Sequence, residues 1–429
     1  MKTKTTFALV LGIAATAGLT TLERNAAACG GCFHPPEETP TVITDHRMLL
    51  SVSQDQSTLW DQIKYSGSPT SFAWVLPIAG TVDVGLSADI VFGALDTATQ
   101  TQILSPPQNC PQPPADCTNR NSAFGGSSSG GGSASAPPPE AADAGVTVLK
   151  EQVVGPYETV QLSSTDPKAL STWLSSHGYS VPPDVQPTID QYVAQSFDFL
   201  ALKLVPGAGV QDMRPVRVTT NGASVTLPLR MVSAGTGATV GITLWVVAEG
   251  RYEPQNFPFF HIETNDLLWD WNQERSNYTD LRAAKSTDGK TWEIESSITV
   301  AQSDLQSPIY QGYAPGSSGP GAETAAQQDY APVTNPDGSV AQTAVQVRDA
   351  DFATIFHGIG TQGRVTRMRS DVAHDRLKDA DLVLVASADQ SELSNIRQLT
   401  KEANQPMCPV YDGCDVVGQA PRDEAAARM

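Results

Sequence analysis

The sequence predicts a mixed α+β protein: two domains with antiparallel sheets and a few packing helices, joined by a Gly/Ser/Pro-rich linker. Three observations predict it. Short apolar runs with near period-two alternation recur between Gly-, Ser- and Pro-rich breaks, which is the pattern of strands. Other apolar positions, such as Ile90, Val91, Ala94, Leu95 and Ala98, follow the spacing of one helical face. Between residues 105 and 145 the composition changes abruptly, through PPQNCPQPPADC into GGSSSGGGSASAPPPEAADAG. Gly and Ser loosen a chain and Pro stiffens it, and neither buries enough apolar surface to offset ordering, so this stretch reads as a disordered linker.

The amino terminus places Lys2 and Lys4 before an apolar stretch running from Phe7 to Leu22, and ends in Ala26-Ala27-Ala28. These are the three parts of a signal peptide, here residues 1–28. The stretch contains Gly12 and Gly18 and is shorter than the roughly 20 strongly apolar residues a spanning helix needs. Cleavage is therefore expected, with Cys29 as the first mature residue and a periplasmic, cell-envelope or secreted destination. A cysteine at that position is also where a lipoprotein carries its lipid. Such a box usually has Leu three residues earlier, whereas here Ala26 stands there and Glu23-Arg24-Asn25 intervene, so simple cleavage is favoured over a lipid anchor at Cys29. The longest later apolar runs, 72–79, 240–248 and 382–386, are far below membrane length, so no transmembrane segment is expected in the mature chain.

At 429 residues and 40% hydrophobic content the chain can build two ordinary cores. Its formal charge is −19, and loss of Lys2, Lys4, Arg24 and Glu23 with the signal leaves 24 bases against 45 acids. Such a surface repels nucleic acid and anionic lipid, which excludes nucleic-acid partners. The six cysteines fall as close pairs: Cys29 with Cys32, Cys110 with Cys117, and Cys408 with Cys414. An even count in an exported chain favours disulfides, and local pairing is the expectation, although six cysteines allow fifteen connectivities.

From Thr41 the runs TVITDHRMLLSVSQ, STLWDQIKYSG and SFAWVLPI predict a three-strand meander, and a helix following it, capped by Ser87, packs on top; together these make a first domain at 29–104. The linker occupies 105–145. A second domain at 146–310 opens with the strand-like VTVLKEQVVGPYETVQL. Next comes a helix in DPKALSTWLSSHGY, capped by Asp166 with Pro167 at its first position, and then a helix over 187–195. Four strand-like runs follow, FDFLALKLV, MRPVRVTT, ASVTLPLRM and TVGITLWVVAEG, and then a helical stretch over 265–285. Residues 311–347 read as a low-order loop, 348–414 as a region completing the second domain, with a short helix at DFATIF, and 415–429 as a tail.

Several residue groups invite a chemical reading. Cys29, Cys32, His34 and His46 offer two thiolates and two imidazoles, a set that suits tetrahedral zinc. The gap from His34 to His46 is wide and an oxidising compartment converts the thiols, so a disulfide is favoured over a metal. A redox dithiol is weaker, because Pro35-Pro36 follows and no βαβ pattern precedes. His261 and Glu263 share a strand face and could act as base and acid, and Asp45-His46-Arg47 invites the same reading; structural hydrogen bonding explains both more simply. Ser128 lies in GGSSSGGG, where no rigid elbow can present a nucleophile. Arg364, Arg367 and Arg369 form a basic cluster that could bind an anion, against which stands pairing with Asp371, Asp375 or Asp379. Trp60, Trp74, Trp245, Trp269, Trp271 and Trp292 read as core or interface aromatics. No cofactor follows from these residues.

The stretch ACGGCF, the strand pair after it, then SFAWVLPIAG and VGLSADIVFGALDTAT, with LPLRM at 227–231 and VTRMRSDVAHDRLKDADLVLVAS from Val365, resembles an uncharacterised bacterial family, domain of unknown function 2330. The resemblance frames most of residues 28–387. It implies an exported protein with no assigned activity and supplies no catalytic or binding residues. Some relatives carry a carboxyl-terminal apolar segment that could anchor them, and none occurs here. The expectation is a non-enzymatic cell-envelope or secreted protein that binds or organises an envelope or extracellular ligand. An exported enzyme or metal-binding protein using the amino-terminal Cys/His cluster is the alternative.

Overall fold

The computed structural model describes residues 32–33, 42–66, 73–113, 146–176, 185–208, 212–233, 236–335 and 338–428. The signal, Cys29, His34, Cys117, Ser128 and most of the expected linker lie outside them.

The strands in chain order are β1 (Cys32–Phe33), β2 (Val42–Val52), β3 (Gln56–Ser66), β4 (Ala73–Ile78), β5 (Asp83–Leu86), β6 (Gln102–Leu104), β7 (Thr147–Val154), β8 (Tyr157–Ser163), β9 (Asp198–Leu204), β10 (Val216–Asn221), β11 (Thr226–Leu227) and β12 (Thr236–Ala248). They continue with β13 (Tyr252–Pro254), β14 (Phe259–Phe260), β15 (Trp269–Asp270), β16 (Arg275–Ser276), β17 (Trp292–Ala301), β18 (Val333–Thr334), β19 (Val340–Gln342), β20 (Gln362–Ala373), β21 (Leu382–Ala386), β22 (Ile396–Gln398), β23 (Met407–Asp412) and β24 (Asp415–Pro421). The helices are α1 (Asp89–Thr99), α2 (Pro167–Ser176), α3 (Gln186–Ala194), α4 (Leu229–Val232), α5 (Tyr278–Lys285), α6 (Gln302–Tyr310), α7 (Pro320–Ala326), α8 (Ala344–Ile355), α9 (His374–Leu377) and α10 (Arg422–Ala427). The fold is mixed α+β, as the sequence predicts.

An eight-stranded sheet runs β14-β17-β20-β12-β2-β3-β10-β5, and a five-stranded one β1-β4-β9-β8-β7. Pairing is antiparallel except at β12 with β2 and β14 with β17. The hairpin of β2 and β3 forms as its sequence suggests, with Leu49 opposite Trp60 and Arg47 opposite Gln62. The expected third strand of a meander, β4, leaves for the other sheet and pairs with β9. Both large sheets therefore draw strands from either side of residues 105–145. Their shared core includes Leu49, Trp60, Phe92, Leu202, Trp245 and Met368. A second cluster around Leu170, Ile189, Tyr192 and Phe199 sits under α2 and α3.

Local chemistry explains most helix ends. Pro167 opens α2, and the Asp166 carboxylate accepts the Lys168 N–H at 2.9 Å, as a cap should. Ser87 does not cap α1: Ala88 holds that position, and the Ser87 hydroxyl donates instead to Asp351 at 2.6 Å. The run ASVTLPLRM is only two residues of strand before Pro228 turns the chain into α4. Within 265–285 only α5 is α-helical, after the short pair β15 and β16. The expected low-order segment contains α7 and the β18–β19 pair, and the expected tail holds β24 and α10.

Local cysteine pairing is corrected for Cys110 and Cys408. Cys110 is bonded to Cys408, 298 residues away, with Cα atoms 5.4 Å apart, and Cys414 is disulfide-bonded as well. Cys408 faces inward from β23 with Val410 and Ala420, and Cys110 packs against that cluster, so burial selects this partner over the neighbour in sequence.

Candidate functional site

One face of the eight-stranded sheet carries polar and charged side chains beneath α1. Register aligns Arg47 with Thr243, Thr243 with Arg369, and Trp245 with Arg367. The Trp245 ring lies between two guanidinium groups, Arg47 at 5.2 Å and Arg367 at 5.1 Å from its centroid. Its indole N–H donates to the Thr99 hydroxyl at 2.9 Å. Asp96, one helical turn before Thr99, accepts from both arginines, and Arg367 also donates to Glu295. Two cations over one buried ring gain from its quadrupole, and the two carboxylates keep their burial from leaving uncompensated charge.

A second centre surrounds Asp351 on α8. This fully buried carboxylate accepts from the Trp60 indole at 2.6 Å, the Ser87 hydroxyl at 2.6 Å, the Tyr330 hydroxyl at 3.1 Å and Arg217 at 3.3 Å. Burial raises its pKa, against the pull of Arg217 and the three other donors.

The third centre lies where α5 meets β17. Tyr278 donates its hydroxyl to Glu293 at 2.7 Å, and Arg282 Nε stands 3.4 Å from the other Glu293 oxygen. Burial pushes the Glu293 carboxyl up to about 7, aided by the charge of Glu295 and opposed by the Tyr278 hydrogen bond and by Arg282 and Arg397. Glu293 is thus a buried carboxyl whose charge changes near neutral pH.

The sequence-derived candidates sit as follows. His46 is completely buried, with Nδ1 3.3 Å from Asp61, facing away from Arg47. The side chain of Cys32, with Cys29 and His34, lies outside the described residues; among the described residues no group of three or more metal-ligating side chains forms. Arg364 pairs with Glu392 at 3.3 Å, Arg369 with Asp371 at 3.8 Å, and Arg367 with Asp96 and Glu295. Of the three acids expected to meet this cluster, Asp371 does so, while Asp375 and Asp379 lie against Arg376. His261 and Glu263 hydrogen-bond at 2.6 Å on the surface. Trp60, Trp74, Trp245 and Trp292 are buried, and Trp269 and Trp271 pack edge to face, partly buried, at 5.9 Å. Asp96, Asp351 and Glu293 were not singled out by sequence. The signal for Glu293 was present: it flanks Ile294 together with Glu295 in the strand-like run WEIESSITV.

The segments that carry the sequence resemblance meet in space. Asp96 of VGLSADIVFGALDTAT touches Arg367 of the last segment, and Arg230 of LPLRM bonds Asp381 at 2.6 Å, over the Tyr192 ring at 4.7 Å. A small apolar pocket between the sheets is lined by Trp74, Leu76, Leu229, Met231, Met48 and, at its one charged point, Asp61.

In comparison with known proteins, residues 24–374 match a family described as an uncharacterized protein conserved in bacteria (DUF2330). The crystal structure of baculovirus P35 is similar at 8% identity over 81% of this chain and 97% of that chain, with a TM-score of 0.28, too low for any argument to rest on it. No curated protein matches.

Proposed function

Since the chain belongs to the DUF2330 family of uncharacterised bacterial proteins, we propose from its own chemistry that it is an exported, disulfide-stapled protein that binds or organises a partner in the cell envelope or outside the cell. The single observation that carries this reading is the Cys110–Cys408 bond, since disulfides that tie distant segments persist in oxidising compartments. The amino-terminal signal pattern agrees with it. A binding or structural role is supported by where the charged groups are spent: Asp351, Asp96, Glu295 and Arg367 are committed to internal partners that hold strands and helices together. Among the described residues no helix is long and apolar enough to cross a membrane.

Fractionation of the native host, with intact mass measured before and after reduction, tests the address. The expected species is a chain beginning at or near Cys29, oxidised and outside the cytoplasm; a full-length, reduced, cytoplasmic chain overturns the proposal. An acyl mass on Cys29 would specify lipid anchoring. For the role, reproducible hydrolysis of peptide, ester or glycan substrates that one point change abolishes would replace it with an enzyme.

A further inference from the structure

We propose that the outer edge of β24 is a docking edge for an extended, basic peptide segment of a partner protein, which joins the β23–β24 hairpin as a third strand. The inference rests on the binding role proposed above and names its surface and the partner's chemistry. β24 pairs with β23 alone, so its second edge has no partner strand among the described residues. Edge strands in folded proteins are usually blunted by Lys, by Pro or by a covering element. Over its seven residues β24 carries no Lys or Arg, and its Pro comes last. Val416 and Val417 are instead 59% and 62% exposed, more than any other large apolar side chain among the described residues. A bulge accounts for two neighbouring valines facing water: the register passes from Val410 opposite Gly418 to Tyr411 opposite Val416 and skips Val417. β23 offers no such edge, because Pro409 removes a ladder donor inside it.

The two faces of the hairpin specify what the third strand carries. Cys408, Val410 and Ala420 turn inward onto a small core shared with Ala425 of α10. By alternation Met407, Pro409 and Tyr411 turn outward, and Tyr411 stands opposite Val416, so the outward face is apolar. At the tip, Asp412 stands directly opposite Asp415, both exposed and neither with an ion partner among the described residues. Like charges directly opposite each other destabilise a hairpin, and a cation beside them offsets that repulsion. A strand that alternates apolar and basic side chains meets both faces at once, laying the apolar ones beside Val416 and the basic ones beside Asp415. The hairpin is firmly mounted for this, through the Cys110–Cys408 bond and through Arg422 of α10, which donates to Glu402. A second copy of this chain is a poor occupant, because it brings a charge of −19 and its own β24 holds no basic residue to answer Asp415.

Fluorescence anisotropy on the oxidised protein tests the edge with labelled seven-residue peptides matched to β24 in length. One alternates Lys and Val, one alternates Glu and Val, and one is the Lys-Val peptide with Pro at its centre. The Lys-Val peptide should bind saturably and more weakly as salt rises, and the other two should bind at least about tenfold more weakly. Val416→Lys and Val417→Lys, made together at exposed positions, should weaken the Lys-Val peptide by about tenfold or more. Asp412→Asn with Asp415→Asn should weaken it and flatten the salt dependence. The peptide comparison needs only the wild-type chain, so it decides even where a variant misfolds. Absence of saturable Lys-Val binding, equal binding of the Pro-containing peptide, or binding unchanged by the two Val substitutions overturns the proposal. A wild-type dimer that those substitutions dissolve also overturns it, by making a second copy the occupant. Peptide binding that survives every variant removes β24 while leaving the partner-binding role standing, so the two readings fail separately.

Discussion

The indole of Trp60 donates to the carboxylate of Asp351 at 2.6 Å, across 291 residues of sequence. That bond ties β3, deep in the eight-stranded sheet, to α8, and the same carboxylate also holds Ser87 ahead of α1, Tyr330 after α7, and Arg217 on β10.

Asp351→Ala is therefore expected to cost about 3–5 kcal/mol, because it strips one buried acceptor from four donors at once and leaves Arg217 without its carboxylate. Asp351→Asn keeps an acceptor oxygen and should cost less. Urea denaturation of the two variants beside the wild type checks the order; equal midpoints for Asp351→Ala and wild type would refute it.

Glu293 predicts a pH-dependent stability with a definite sign. Its carboxyl rises from the ordinary 4.5 to about 7 on folding, so its contribution is fully present below about 4.5 and is lost as pH rises through about 7. The loss is on the order of 3 kcal/mol. Thermal melts between pH 5 and pH 8 should show it, and the Glu293→Gln protein should show a correspondingly flatter profile.

Opening the Cys110–Cys408 bond should destabilise the chain by about 2–5 kcal/mol, since it releases a very long closed loop in the unfolded state. The expected reading is a lower melting temperature under reducing conditions, reproduced without reductant by Cys110→Ser/Cys408→Ser. Proteolysis of the reduced protein should cut first around β23 and β24, whose small core contains Cys408 itself.

Arg367 and Asp96 should be strongly coupled. Removing either takes one of two ion partners from the other, so each single change to Met or Asn is expected to cost about 1–3 kcal/mol, and the double change less than their sum. A double-mutant cycle that proves additive would show that the pair does not work as a unit. Trp245→Leu belongs to the same test, because it removes the ring that both Arg47 and Arg367 cover.

Much of the local structure was legible because local chemistry determines it. The β2–β3 hairpin and the Asp166-Pro167 start of α2 carry their own signals. The destination of β4 was not legible: Trp74, Val75 and Leu76 are all buried, so the run lacks the alternation that would assign one face to one sheet. Helix α8 was read too short because buried Arg348 and Asp351 interrupt its apolar pattern. Two of the polar centres escaped for a related reason: Asp351 with Trp60, and Asp96 with Arg367, join segments hundreds of residues apart, and a single sequence records such meetings nowhere. The disulfide follows the same rule.

The position of β20 bears on the order in which the chain can become itself. It lies between β12 and β17, strands that precede it by many residues, and both offer it a long ladder of partners. Until residues 362–373 have left the ribosome, each of those strands presents an open row of backbone donors and acceptors, and the sheet exists as two unjoined pieces. With pairing this remote in sequence, folding is slow and the waiting intermediate is sticky. A newly made chain thus needs something to keep it apart from its neighbours until the keystone strand arrives.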